Sequence, residues 1–168
     1  EKDLPDAEFL ALARLLREVT RRVAARLFIN GRLEAALAVG ADGLQRGHDA
    51  STIPVLRSRA PDLIIGASAH SLQEARAAER DGASFIVFGP VYDTPSKRPY
   101  GPPQGLEALA SVVQAVSIPV FAIGCMTPDR VAPVLTTGAH GVAVISAILA
   151  AERPGEATKQ FIDALGSN

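Results

Sequence analysis

The feature that most constrains this chain is an alternation between two hydrophobic periods. Apolar residues recur at helical spacing over Asp6 to Ala24 (Phe9, Leu12, Ala13, Leu16, Val19, Val23), with basic residues on the other face. Leu27-Phe28-Ile29 is then a short apolar run of the kind found in buried strands. The alternation continues with a helix over Arg32 to Val39, a strand at Gly43-Leu44-Gln45, a helix from about Ser51 to Arg59 and a strand from Leu63 to Ala67. Ser71-Leu72-Gln73-Glu74 has capping-box spacing and predicts a helix to about Arg80, followed by the strand Phe85–Phe88. Gly89 to Gln104 is rich in Pro and Gly and long enough to suggest a function. Beyond it the pattern predicts a helix over Leu106 to Val116 and a strand over Val120 to Ile123. Thr127 is placed as an N-cap, with Pro128 at the first helical position. Gly141 to Ile145 is the last strand and Gly155 to Leu165 the last helix.

A weak repeat supports this order. Gly40-Ala41-Asp42-Gly43, Gly82-Ala83-Ser84-Phe85 and Gly138-Ala139-His140-Gly141 each stand between a helix and a strand. A glycine there can take the left-handed conformation that ends a helix. Strands alternating with helices imply parallel βα units, and strands apolar on both faces agree, because a parallel sheet is covered on both sides. Six such strands in 168 residues leave two architectures open. One is an open doubly wound sheet. The other is a (β/α)₈ barrel lacking its first units, since a whole barrel takes about 250 residues and seldom fewer than about 200.

Composition narrows the function. The chain is 48% hydrophobic and 21% charged with a net charge of -1, which reads as one globular domain over 1–168. Without a basic excess and with few aromatics, a nucleic-acid reader is not expected. A single cysteine excludes an intrachain disulfide and suits a reducing cytosol. No apolar run approaches the ~20 residues that span a bilayer, and Glu1-Lys2-Asp3-Leu4-Pro5 does not open a signal peptide. The expectation is a cytoplasmic protein acting on small molecules, with no nucleic-acid or membrane partner; a homo-oligomer stays open, since the sequence does not fix the oligomeric state.

In a parallel α/β fold the chemistry gathers at the carboxyl ends of the strands. Those ends supply Asn30, Gln45, Arg46, Ser68, His70, Thr94, Ser96, Lys97, Gly124, Cys125 and Ser146. They are mostly neutral hydrogen-bonding groups with a few cations, a set that suits an anionic small molecule. The turns Ile123-Gly124-Cys125-Met126-Thr127-Pro128 and Val144-Ile145-Ser146-Ala147 are placed to cradle a phosphate, and equally read as ordinary helix starts. The loop Tyr92 to Pro99 sets Lys97 where it could meet a pyrophosphate, or is simply a solvated, Pro-stiffened loop. His70 is a candidate acid/base or a turn residue. Three scattered histidines lack the spacing of a zinc site, and Cys125 lacks the partners of a nucleophile.

The strand-end residues match a known family. E-K-D-L-P at 1–5, I-N-G-R at 29–32, A-V-G-A-D-G at 38–43 and I-I-G-A-S-A-H-S-L at 64–72 carry the likeness, with F-G-P-V-Y-D-T-P-S-K at 88–97, I-P-V-F-A-I-G at 118–124, M-T-P-D-R at 126–130 and G-V-A-V-I-S-A-I at 141–148. The chain resembles thiamin phosphate synthase and its relative the thiazole tautomerase (TenI), over Glu1 to about Pro154. The resemblance implies a (β/α)₈ TIM barrel seen from its third strand to its eighth, the first βαβ portion being absent from the sequence. The synthase of the family joins an aminopyrimidine, carried as hydroxymethylpyrimidine pyrophosphate, to a thiazole phosphate and releases pyrophosphate. The resemblance places the pyrophosphate on Lys2, Asn30, Thr94, Ser96 and Lys97, with Ser68 beside the pyrimidine. The thiazole phosphate falls on Gly124, Cys125, Ile145 and Ser146, and the catalytic candidates are Lys97, Ser68 and His70.

Two departures bear on activity. The synthase holds Mg²⁺ through aspartates where this chain has Gly31 and Ala50, so Mg²⁺ is expected only if Asp49, one position away, substitutes. Losing both carboxylates leans toward the tautomerase branch, which needs no metal; yet that branch uses a histidine where this chain has Pro90. The leading expectation is therefore a thiamin-biosynthesis protein that binds a thiazole phosphate, nearer the tautomerase. A true synthase and a non-catalytic phosphate-ligand-binding regulator are the alternatives.

Overall fold

The computed structural model describes residues 3–47 and 51–166. The chain separates into two compact units, Glu1–Ala67 with Asp81–Ser84, and Ser68–Arg80 with Phe85–Asn168. Lys2, His48, Asp49 and Ala50 lie outside the described residues.

In the first unit α1 (Asp6–Arg22) precedes β1 (Phe28–Asn30), α2 (Leu33–Val39), β2 (Gly43–Arg46), α3 (Ile53–Arg59) and the first residues of β3 (Ile64–Ala69). α1 carries Asp6 and Glu8 in its first turn and Arg21 and Arg22 in its last, matching the helix dipole at both ends. It packs on α2, but only Ala13 is fully buried; Leu16, Val19 and Val23 of the predicted apolar face are exposed. Arg32 ties the start of α1 to that of α2. Its guanidinium donates to the Leu4 carbonyl at 2.7 Å and to Asp6 at 3.0 Å, and stacks 4.2 Å over the Phe9 ring. β1, β2 and β3 pair in parallel, with Phe28 opposite Gly43 and Gly43 opposite Ile64. Gly43 is required there: a Cβ would lie 2.2 Å from the Phe28 ring and 2.5 Å from the Ile64 carbonyl.

The turn from α3 into β3 is held by Arg57. Its guanidinium donates to the carbonyls of Gly82 at 2.9 Å and Leu63 at 2.7 Å, and to Ser84 Oγ at 2.7 Å. Ser84 Oγ in turn accepts the Ile65 N–H at 3.2 Å.

The second unit contains the end of β3, α4 (Leu72–Arg80), β4 (Phe85–Phe88), a 3₁₀ turn at Pro95–Tyr100, α5 (Gly105–Ala115), β5 (Val120–Ile123), α6 (Pro128–Leu135), β6 (Gly141–Ala143), α7 (Ser146–Leu149) and α8 (Pro154–Gly166). β4, β5 and β6 pair in parallel, with Phe88 opposite Ala122 and Ala122 opposite Val142. Ile86, Phe88, Leu109, Val112, Val131, Val134 and Phe161 form its core, from strand and helix alike. Burying each such side chain is worth about 1.5–3 kcal/mol. The capping box forms in modified shape: Ser71 Oγ accepts the Glu74 N–H at 3.1 Å, while the Glu74 carboxylate accepts the N–H of His70, one residue before the expected partner.

The parallel βα order read from the sequence stands, as do the left-handed glycines: Gly40, Gly82 and Gly138 have φ of 60°, 97° and 86°. The boundaries move. β3 runs to Ala69, two residues beyond expectation, because the Gly89 N–H donates to the Ala69 carbonyl at 3.2 Å and prolongs the ladder. β6 ends at Ala143 rather than Ile145, whose φ and ψ of -122° and -83° have left the strand. Thr127 occupies the N-cap of α6, but its hydroxyl makes no cap bond; Oγ1 is buried with no partner in the structure. No helix among the described residues is long and apolar enough to cross a membrane.

Candidate functional site

The strand ends of the second unit surround a cavity of about 220 Å³. β3 delivers His70; the segment after β4 delivers Gly89, Pro90, Thr94 and Lys97; β5 delivers Gly124 and Cys125; and β6 leads to Ile145 and Ser146. Seven of the residues singled out in the sequence therefore meet in one place: His70, Thr94, Lys97, Gly124, Cys125, Ile145 and Ser146.

Two positions in the glycine turn have unusual backbone. Gly124 has φ +116°, and a Cβ there would lie 2.7 Å from both Cα and Cβ of Pro90 and 2.9 Å from the Val91 nitrogen. The β5 turn and the segment after β4 thus touch backbone to backbone. Cys125 follows with φ +45°, a left-handed conformation rarely taken by a residue with a side chain. Its carbonyl accepts a 2.6 Å bond from Arg130 Nη1, and the same guanidinium stacks 4.4 Å over the Tyr92 ring. Arg130 belongs to the M-T-P-D-R stretch, whose sequence alone gives it no role; only the fold shows it clamping the Cys125 turn.

The loop between β4 and α5 is fastened at its ends. Val91 N–H donates to the Ile123 carbonyl at 2.8 Å, Gln104 N–H to the Pro90 carbonyl at 2.8 Å and Gly105 N–H to the Val91 carbonyl at 3.1 Å. Between these anchors the 3₁₀ turn carries Lys97, with its N–H on the Thr94 carbonyl at 2.8 Å. Arg98 chelates Asp93 through two nitrogens, at 3.0 Å and 2.5 Å, which holds the Asp93 carboxyl below the ordinary carboxylate range. That pair neutralises Asp93 outside the cavity wall. Among the described lining residues Lys97 is a cation and none is a carboxylate, so the field favours an anion. Pro90, Ile123, Met126 and Val144 supply apolar wall against which a ring can pack.

The remaining predicted residues fall elsewhere. Ser68 is exposed near the end of β3 and is not among the residues lining this cavity. Asn30 ends β1 in the first unit, where it borders a small apolar groove with Phe9, Leu12 and Phe28. Lys2 and Asp49 are outside the described residues, as is the side chain of Ser96. Among the described residues the Mg²⁺ donor set is incomplete: Gly31 follows Asn30 without a side chain, and there is no cluster of three His, Cys, Asp or Glu, while Asp49 lies outside those residues.

The family model for thiamine monophosphate synthase matches residues 1–148. The chain belongs to that family. A Geobacter sulfurreducens protein provisionally named a thiamine-phosphate synthase is 45% identical over 163 residues, 96% of this chain and 76% of that one. The thiamine-phosphate synthase of Moorella thermoacetica is 44% identical over 162 residues, 96% of this chain and 77% of that one. Among solved structures, the thiamine phosphate pyrophosphorylase from Pyrococcus furiosus superposes with a TM-score of 0.93 at 40% identity, over 99% of this chain and 80% of that one. The family's α/β fold with parallel strands is therefore the fold of this chain, which decides against an unrelated open doubly wound sheet.

Proposed function

We propose that this member of the thiamine monophosphate synthase family binds a thiazole phosphate in the cavity of its second unit. The observation that carries the reading is the joint lining of one cavity by both phosphate turns and Lys97, with apolar walls and no carboxylate among the described lining residues. The phosphate lies on the turns Gly124-Cys125 and Ile145-Ser146, and Lys97 offsets its charge. The thiazole ring packs against Pro90, Ile123 and Val144. The six strands correspond to the third to eighth of the family's barrel.

For the activity, the replaced carboxylate at Gly31 supports the tautomerase-like branch, in which a ring proton is moved without a metal. Pro90 in the cavity wall and relatives named as synthases support the second reading, coupling of an aminopyrimidine pyrophosphate to the thiazole phosphate. One assay separates them: thiamin phosphate formation from both substrates, with Mg²⁺ and with EDTA, alongside thiazole phosphate binding by calorimetry. Metal-dependent product establishes the synthase. Binding of thiazole phosphate in EDTA without product supports the tautomerase-like reading, and Lys97→Ala should then weaken binding by about tenfold. Failure of thiazole phosphate to bind removes the whole reading of this cavity.

A further inference from the structure

The cavity contains an imidazole that phosphate binding does not use. His70 is held in two independent ways. Its backbone N–H donates to the Glu74 carboxylate at 2.7 Å, and Glu74 is fixed in turn by its own N–H on Ser71 Oγ. Its ring is held through Nδ1, hydrogen-bonded to the carbonyl oxygen of Gly89. A carbonyl oxygen can only accept, so Nδ1 carries the proton and Nε2 of the neutral ring carries the lone pair. The same ring lines the cavity together with Thr94, Lys97, Cys125 and Ser146. With no carboxylate among the described lining residues, the Nε2 lone pair of this ring is the group there with the geometry of a general base.

We propose that His70 is the acid/base residue of this site, fixed by Gly89 in the tautomer that points its basic function at Nε2. The inference rests on the thiazole phosphate reading and adds a catalytic residue to it. Nε2 takes a proton from a carbon of the bound ring: the C–H bond breaks, its electron pair stays with the ring, and the N–H bond of an imidazolium forms. The imidazolium returns a proton to ring carbon, so the cycle is an isomerisation or exchange with no oxidant and no leaving group. Lys97, beside the phosphate, balances the negative charge held by the ring between the two transfers.

The test is exchange of the thiazole C2 proton of thiazole phosphate in D₂O, read by NMR, with binding measured separately by calorimetry. His70→Asn keeps a side-chain N–H at the place of Nδ1 but removes the basic nitrogen. Wild-type protein should accelerate exchange, and His70→Asn should lower the rate by about a hundredfold with the dissociation constant changed by no more than about threefold. Exchange by His70→Asn at the wild-type rate, or wild-type protein that binds without accelerating exchange, overturns the proposal and leaves the binding reading intact. Absence of binding by wild-type protein overturns both. A readout independent of variant folding is the long-range ¹H–¹⁵N spectrum of the wild-type His70 ring. A protonated Nδ1 with an unprotonated Nε2 supports the proposal, and the opposite tautomer refutes it.

Discussion

Arg17 on α1 and Asp42 in the turn before β2 lie 2.5 Å apart, Nη1 to Oδ2, across 25 residues of sequence. Asp42 also accepts the Leu27 N–H at 2.8 Å. The Leu27 amide first, and the Arg17 guanidinium second, hold the Asp42 carboxyl below the ordinary carboxylate range. The native state thus binds this proton less readily than the unfolded chain does. Its contribution to stability is complete above the unfolded pKa of about 4 and fades as pH falls through the lowered native value. Thermal melts of wild type and Asp42→Asn should differ most at neutral pH, with the gap closing in acid. A gap of equal size at pH 7 and in strong acid contradicts this account.

Arg57 gathers Leu63, Gly82 and Ser84 with one planar group. Lysine has a single nitrogen and cannot reproduce that fork. Arg57→Lys should therefore cost about 2 kcal/mol in denaturant unfolding, since partly buried carbonyls lose their donors. A loss under about 0.5 kcal/mol, the usual range for a surface change, is inconsistent with the clamp.

Gly124→Ala places a methyl group 2.7 Å from Pro90 and 2.9 Å from the Val91 backbone nitrogen. Backbone atoms cannot rotate aside, and φ +116° disfavours any side chain. The variant should lose roughly 3 kcal/mol of stability and its affinity for thiazole phosphate. Calorimetry on folded Gly124→Ala showing unchanged affinity separates the cavity from the phosphate.

Cys125 holds a left-handed backbone without being glycine. Relief of that strain is worth about 1–2 kcal/mol, against about 0.5–1 kcal/mol for the greater freedom of an unfolded glycine. Cys125→Gly should be about 0.5–1 kcal/mol more stable than Cys125→Ala, because both lose the thiol and only one loses the strain. Arg130 bonds the carbonyl of residue 125, so that bond survives both changes. Equal melting temperatures for the two variants count against a strained turn.

Much of the architecture is legible in the sequence because it rests on local physics. The apolar runs at Phe85–Phe88 and Val120–Ile123, the left-handed glycines Gly40, Gly82 and Gly138, and the Ser71/Glu74 cap each depend on neighbours within a few residues. The short motifs along the chain carried the family, as the match over residues 1–148 establishes. What the sequence could not determine is set by contacts between distant segments. The Gly89–Ala69 ladder bond extends β3, and Arg130 reaches both the Tyr92 ring and the Cys125 carbonyl. Periodicity leaves His70 as either a turn residue or an acid/base. The tertiary structure sets its Nδ1 on the Gly89 carbonyl, 19 residues away, and places the ring in a cavity wall, the two contacts on which the proposed acid/base role rests. Helix and strand formation follow a periodicity written along the chain, whereas the state and surroundings of a ring nitrogen depend on which carbonyl the folded backbone brings to it.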